Sequence, residues 1–195
     1  MATAFTDQEK TQIIAQLRDA AWRHAGAEGM RKTSVDMLAM EAGISKGAFY
    51  HFYASKELLF LDMLESWQKN VYAIAEKVLR ENAALPVPER ASLAFRAAFR
   101  AILNRPVSKF VAQELPLLLR RIPPEVLREH YQTQEEFVIR IIHQVGVTLT
   151  VPDHTAAAAV NILLLSLVHA DRVGPYYDQG IDALVDSACR QLIAE

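Results

Sequence analysis

From Ser55 onward the chain carries an apolar pattern that no strand could use. Phe60, Leu64, Trp67, Val71, Ile74 and Val78 recur in steps of four and three, which keeps one face of an α-helix apolar for about five turns. The pattern runs from Lys56 to about Ala84, where Leu-Pro-Val-Pro-Glu interrupts it. At about 1.5 Å per residue this is a helix of roughly 40 Å, the natural joint between two domains. Residues 1–55 are then one domain, 56–84 the linking helix and 85–195 the other domain.

Every other segment is also helical in period. Thr6-Asp-Gln-Glu9 is a capping box, followed by Ile13, Ile14, Leu17, Ala21 and Ala25 on one face. Thr33 is placed to cap a short helix whose inward residues are Val35, Leu38 and Ala42. Gly43 stops it, and Ile44-Ser45 opens another. Downstream, one helix ends before Pro106, the next has a kink expected at Pro116, and another starts at Pro123-Pro124 and closes near Gly146. Two more are expected over 153–172 and 179–194. Val145 to Val151 alternates briefly, but reads as a helix end and loop. The expected fold class is all-α.

Bulk properties narrow the function. Hydrophobic residues make up 51% of 195 positions and charged residues 23%, enough for a substantial core. A formal charge of -2 does not suit a protein that coats nucleic acid. Residues 1–56 nevertheless carry 7 Lys/Arg against 6 Asp/Glu, leaving 14 against 17 for the rest, which permits DNA binding by the first domain without demonstrating it. The single cysteine, Cys189, rules out an internal disulfide and suits a reducing cytoplasm. The N-terminus turns polar at once, so no signal peptide is expected. The apolar run from Ala156 to Val168 is too short to span a bilayer, and no membrane partner is expected.

Two short helices separated by a Gly-containing turn, behind a longer first helix, match a helix-turn-helix unit. With Ser45 as N-cap, Ile44 and Phe49 form a hydrophobic staple. Stepping 100° per residue sends Phe49 and Phe52 to the core side and Gly47, Tyr50 and His51 to the opposite side, with Lys46 and Tyr53 at the edges. Gly47 holds no side chain between helix and groove wall, and Lys46 and Tyr50 can reach phosphate or base edges. Thr33, Ser34 and Lys56 stand at helix starts, where backbone N–H groups bind phosphate. The spacing alone leaves open that Lys46, Tyr50 and His51 are ordinary surface residues of a small bundle.

The stretch Lys32 to Leu59 resembles the TetR (tetracycline-repressor) family of transcriptional regulators. It supplies Thr33, then Ala42-Gly43-Ile44-Ser45-Lys46-Gly47, Phe49-Tyr50 and Ser55-Lys56-Glu57-Leu58. The resemblance covers roughly 50 residues and implies contact with double-stranded operator DNA through Thr33, Ser34, Ser45, Lys46, Gly47, Ala48, Tyr50, His51 and Lys56. Many family members carry His or Tyr where this chain has Phe52, so that contact is not carried over. The resemblance further implies a homodimeric repressor, and a region from about residue 85 that binds a small-molecule effector and dimerises.

The second half agrees with that in outline. The helix over 153–172 is apolar on nearly every side and must be covered all round. Pairing it and the last helix with a second copy would use Leu163, Leu164, Leu167, Val168, Leu184, Val185 and Leu192. It could equally be the central helix of a monomer. Candidate effector contacts are Trp67, Phe95, Phe99, Phe110, Glu114, Tyr131, Phe137, Arg140, His143 and His169, a mostly apolar set that suggests a small hydrophobic ligand.

Rival readings are weaker. The 6 His residues contain no His-x-x-x-His pair, and no phosphate-binding Gly loop, nucleophile elbow or Cys-His pair is recognisable. No enzyme activity, cofactor or metal is therefore expected. A dimeric small-molecule binder without DNA binding is the first alternative, and an all-helical enzyme the second.

Overall fold

The computed structural model describes residues 5–103, 107–144 and 146–194, without the side chains of 107–109, 144 and 168. Eleven α-helices are found among them, with one 3₁₀ turn at Leu167–His169. The all-α architecture has an N-terminal three-helix head joined by a long helix to a larger helical body.

The head is built by local chemistry. α1 (Asp7–Ala27) opens on the Thr6–Glu9 capping box, with the Thr6 N–H donating to Glu9 Oε2 at 2.7 Å. Its buried residues Ile13, Leu17, Ala20, Ala21 and Ala25 trace one helical face. α2 (Val35–Glu41) is capped by Ser34, whose Oγ accepts from Met37 N–H at 3.2 Å. This corrects the expectation that Thr33 caps α2. The Thr33 hydroxyl turns inward and donates to the Gly29 carbonyl at 2.9 Å, and the residue is buried. α2 ends in a Schellman turn: Ile44 N–H reaches Ala39 O at 3.0 Å and Gly43 N–H reaches Met40 O at 3.1 Å. That turn needs the left-handed φ of +67° at Gly43. α3 (Lys46–Phe52) follows two residues later, capped by Ser45 to Ala48 N–H at 3.1 Å.

α4 (Lys56–Glu81) starts on Ser55, which caps Leu58 N–H at 3.2 Å. Its first half is buried well beyond a stripe: Leu59, Phe60, Leu61, Met63 and Leu64 are all enclosed. The reason is position. α1 covers one side, and α6 (Val107–Gln113) with α7 (Leu115–Leu119) closes on the other. One apolar cluster therefore runs from Leu17 and Phe49 in the head to Phe110, Leu118 and Ile122 in the body. Phe60 and Phe110 stack at its centre, 5.7 Å apart.

In the body, α5 (Val87–Leu103) packs along α4 and against α11 (Tyr177–Leu192). Arg96 and Ser92 of α5 both bond Asp186 of α11. α8 (Pro124–Gln144) lies against α9 (Asp153–Ser166). The expected kink at Pro116 is a full break at Glu114, two residues earlier, between α6 and α7. Pro116 then sits in the first turn of α7, where a missing N–H costs nothing. The single helix expected over 153–172 also divides: α9 stops at Ser166, and α10 (Ala170–Val173) follows the 3₁₀ turn. Ser166 Oγ donates to Leu163 O at 2.6 Å and bonds the Tyr177 hydroxyl at 2.7 Å. Within the segment expected as helix end and loop, Leu149 forms an isolated antiparallel bridge with Ile193.

Candidate nucleic-acid interface and body cavities

α3 divides its residues cleanly. Phe49 is fully buried, with Ile44 packed against the same cluster. Phe52 is half-buried against Phe5, their rings 5.6 Å apart. Tyr53, at the C-cap, points its hydroxyl at Asp62, which also takes a two-pronged bond from Arg18 at 2.7 Å and 2.7 Å. Burial, and then the Asp62 carboxylate, push the Tyr53 phenol well above its usual range. It is an anchor between α1, α3 and α4.

The opposite face is open. Ser45, Lys46, Gly47 and His51 are exposed, Tyr50 is 51% exposed, and Ala48 is half-buried. The Lys46 ammonium pairs with Asp36 at 2.8 Å, which raises its pKa. A Cβ added at Gly47 would meet only Ser45 Oγ, at 3.9 Å. Packing therefore gives no reason for glycine at this helical position, where it costs up to about 1 kcal/mol relative to alanine. Ser34 is exposed beside this face, whereas Thr33 lies beneath it. The Lys56 ammonium is turned under the loop before α2, donating to Met30 O at 2.8 Å and Thr33 O at 2.6 Å.

The body contains two cavities. The smaller, about 120 Å³, lies between α4, α5, α8, α9 and α11 and is lined almost wholly by carbon, Phe95 and Phe99 included. The larger, about 460 Å³, has Trp67 and Tyr131 in its lining together with Gln68, His130 and Asn161. His130 is buried and bonds Glu65 at 2.7 Å.

The other candidate contacts lie outside both cavities. Phe110 is part of the stack that joins head to body. Glu114 is buried and faces the head, accepting from Arg31 N–H at 3.1 Å and Arg31 Nε at 3.2 Å. Phe137 stacks on Tyr72 at 4.5 Å, and the Arg140 guanidinium stands 5.1 Å from the Phe137 centroid. His143 pairs with Asp153 at 2.8 Å across α8 and α9, and His169 is exposed. Tyr72, which lines both cavities, escaped the sequence reading. It sits beside Val71 within the apolar face, and nothing in the sequence separates a ring in a wall from a ring in a core.

Of the residues expected at a dimer interface, Val185 and Leu167 are used up inside the body. Leu163, Leu164 and Leu192 are half-buried, and the side chain of Val168 lies outside the described residues. Leu184 on α11 is 59% exposed, and Ile162 and Leu165 on α9 are exposed by 67% and 56%. The sequence could not choose among these because α9 is apolar all round. No metal-binding cluster occurs among the described residues, and none of their helices is long and apolar enough to cross a membrane.

A helix-turn-helix head on a cavity-bearing helical body is the build of a ligand-responsive transcriptional regulator. Residues 17–63 match the model of the family described as bacterial regulatory proteins, tetR family. The chain is therefore similar to the TetR family of regulators over its N-terminal head and the start of α4. It is 37% identical over 65 residues to the uncharacterized HTH-type transcriptional regulator YuxN of Bacillus subtilis, a match that spans 33% of this chain and 21% of YuxN. The fold extends over nearly the whole chain. A TetR family regulator from Marinobacter aquaeolei is 18% identical with a TM-score of 0.58, over 97% of this chain and 100% of that one. Thermus thermophilus FadR, a TetR family repressor in complex with lauroyl-CoA, is 18% identical with a TM-score of 0.66, over 91% of each chain. NalD of Pseudomonas aeruginosa, secondary repressor of the MexAB-OprM efflux pump, is 19% identical with a TM-score of 0.57, over 95% of this chain and 98% of NalD.

Proposed function

We propose that this protein is a homodimeric, sequence-specific DNA-binding repressor, released from a near-palindromic operator by a small, largely apolar effector. The observation that carries the reading is Gly47. It sits on the open face of α3 between Lys46 and Tyr50, at a position where the fold has room for a side chain and has none. Close approach of the helix to a groove wall explains that choice. In this reading Ser34, Ser45, Lys46, Gly47, Ala48, Tyr50 and His51 form the DNA face. Thr33 and Lys56 support it from below and leave the first backbone N–H groups of α4 for phosphate.

The body supplies the rest. One short recognition helix contacts too few base pairs, so two must be set about 34–36 Å apart by a dyad. Ile162 and Leu165 of α9 and Leu184 of α11 are exposed apolar residues suited to that pairing. The effector enters the body, where an apolar chamber is available. The acyl ligand held by the FadR of Thermus thermophilus is consistent with such a use of this fold. Residues 1–55 are the DNA-binding domain, 56–84 the connecting helix and 85–195 the effector and dimer domain. The protein works in the cytoplasm, where its operator lies.

Fluorescence anisotropy with the promoter beside its own gene tests the reading. Tight, salt-sensitive binding is expected. Gly47→Ala should lower affinity at least tenfold while leaving the melting temperature equal or higher, and Tyr50→Ala should weaken binding without unfolding. Binding unaffected by both substitutions would refute the assigned face.

A further inference from the structure

The two cavities share a wall made of Val71 and Tyr72 on α4 and Leu164 on α9. On one side the lining is almost wholly carbon, with the Cys189 thiol among it. On the other, Gln68, His130, Gln134 and Asn161 are interspersed with leucines. Set in the wall, the Tyr72 hydroxyl is enclosed and has no hydrogen-bond partner among the described residues. Native proteins pair nearly all such groups, so an enclosed hydroxyl between two cavities with no partner among the described residues is placed to bond a ligand. Burial raises its pKa, so it is a phenol, able to donate. Because the oxygen is covered, a ligand that reaches it has to displace the ring from its stack on Phe137.

We propose that the effector is a single-chain amphiphile, with its apolar tail in the dry cavity and its polar head in the larger one, accepting a hydrogen bond from Tyr72. This deepens the regulator reading above, on which its role as effector depends. A purely apolar molecule would leave the hydroxyl orphaned, and a polar one would lose its hydration in the dry cavity without recompense. Size limits the tail. A cavity of about 120 Å³ holds roughly four methylenes at the ~30 Å³ share of a water, the four by which decanoate exceeds hexanoate. Arg128 in the lining of the larger cavity is exposed and forms no ion pair among the described residues, while Glu135, the acidic residue of the same lining, faces His154 at 3.8 Å, so a carboxylate head is the simplest that fits.

Calorimetric titration of the full-length protein with hexanoate, decanoate and hexadecanoate, without DNA, tests this. Affinity should tighten by up to about fourfold per methylene from hexanoate to decanoate, with no further gain at hexadecanoate. Tyr72→Phe should fold with an unchanged or higher melting temperature, having lost no bond, yet bind decanoate about three- to tenfold more weakly. As a second variant, Ala159→Leu narrows the dry cavity and should weaken decanoate more than hexanoate. Chain-length-independent affinity, an unaffected Tyr72→Phe or equal effects of Ala159→Leu on both acids would each overturn the proposal. If decanoate binds as described but does not release operator DNA, the ligand class stands and its role as effector fails. Operator binding without decanoate binding sinks the amphiphile alone.

Discussion

A single methyl group at Gly29 should reveal how the head is held to the body. Gly29 has a left-handed φ of +83°, and a Cβ built on it would lie 2.6 Å from Glu114 Oε1 and 2.8 Å from its Cδ. The backbone conformation alone costs an L-residue about 1–2 kcal/mol. The contact requires more, because atoms cannot share that space and the carboxylate would have to leave Arg31. Two charge-assisted bonds are then lost, but the Arg31 side chain is 63% exposed and regains water, so about 1–2 kcal/mol is the appropriate scale. Gly29→Ala should therefore cost roughly 2–4 kcal/mol. Glu114→Ala alone should cost about 1–3 kcal/mol. Together they should cost about 1–2 kcal/mol less than their sum, because without the carboxylate only the φ strain remains. Urea unfolding followed by circular dichroism on all four proteins measures the cycle. Additivity within about 0.5 kcal/mol would show that Glu114 does not occupy the space over Gly29, and would refute the latch.

Phe49→Ala removes a fully buried ring at the head's centre and should cost roughly 3–5 kcal/mol in urea unfolding. Leu184→Glu, on the exposed face of α11, should give a monomer by light scattering with a near-native melting temperature, and should abolish tight operator binding. Stability should fall in acid. Asp186 has its pKa lowered by the bond from Ser92 and then by Arg96, and Glu41 by Arg23. Both folded values lie below the unfolded ones, so their stabilisation is full above about pH 5 and is lost as the pH drops through the folded values. Melting curves at descending pH check this, and Asp186→Asn should flatten the acid limb.

What could be read from the sequence depended on how local the cause was. The Thr6–Glu9 box, the Ser45 cap, the Ile44–Phe49 staple and the helical face of α4 are set by residues within one or two turns, and each is visible in the chain. Thr33 shows the limit. Its neighbour Ser34 is an equally good cap, and the choice fell to Gly29, whose carbonyl takes the Thr33 hydroxyl. Tyr53 could not be assigned because its partner, Asp62, is completed by Arg18, which lies 44 positions from that aspartate. Glu114 is a candidate effector contact by its local sequence alone. Its actual partner is 83 positions away, where no local pattern can point. The cavities are of the same kind, since residues from five helices form the wall of the dry one.

The α6–α7 segment joins the two halves physically. Val111, Leu115 and Leu119 line the larger cavity, while Phe110 stacks on Phe60 and Glu114 holds the loop that leads into α2. In the proposed repressor, a ligand that shifts this segment must alter both contacts with the head, since five residues of helix do not deform independently of their neighbours. The size is sufficient. Coupling free energies between sites are typically 1–3 kcal/mol, or 5- to 150-fold in affinity, and loss of the Glu114–Arg31 bonds alone falls at the lower end of that range. Linkage then requires that operator binding weaken the ligand by the same factor. Glu114→Ala should bring the two affinities closer to independence while leaving each site intact. Titrating decanoate into the operator complex and into free protein measures the factor. An undiminished ratio in Glu114→Ala would place the coupling in the Phe60–Phe110 stack instead.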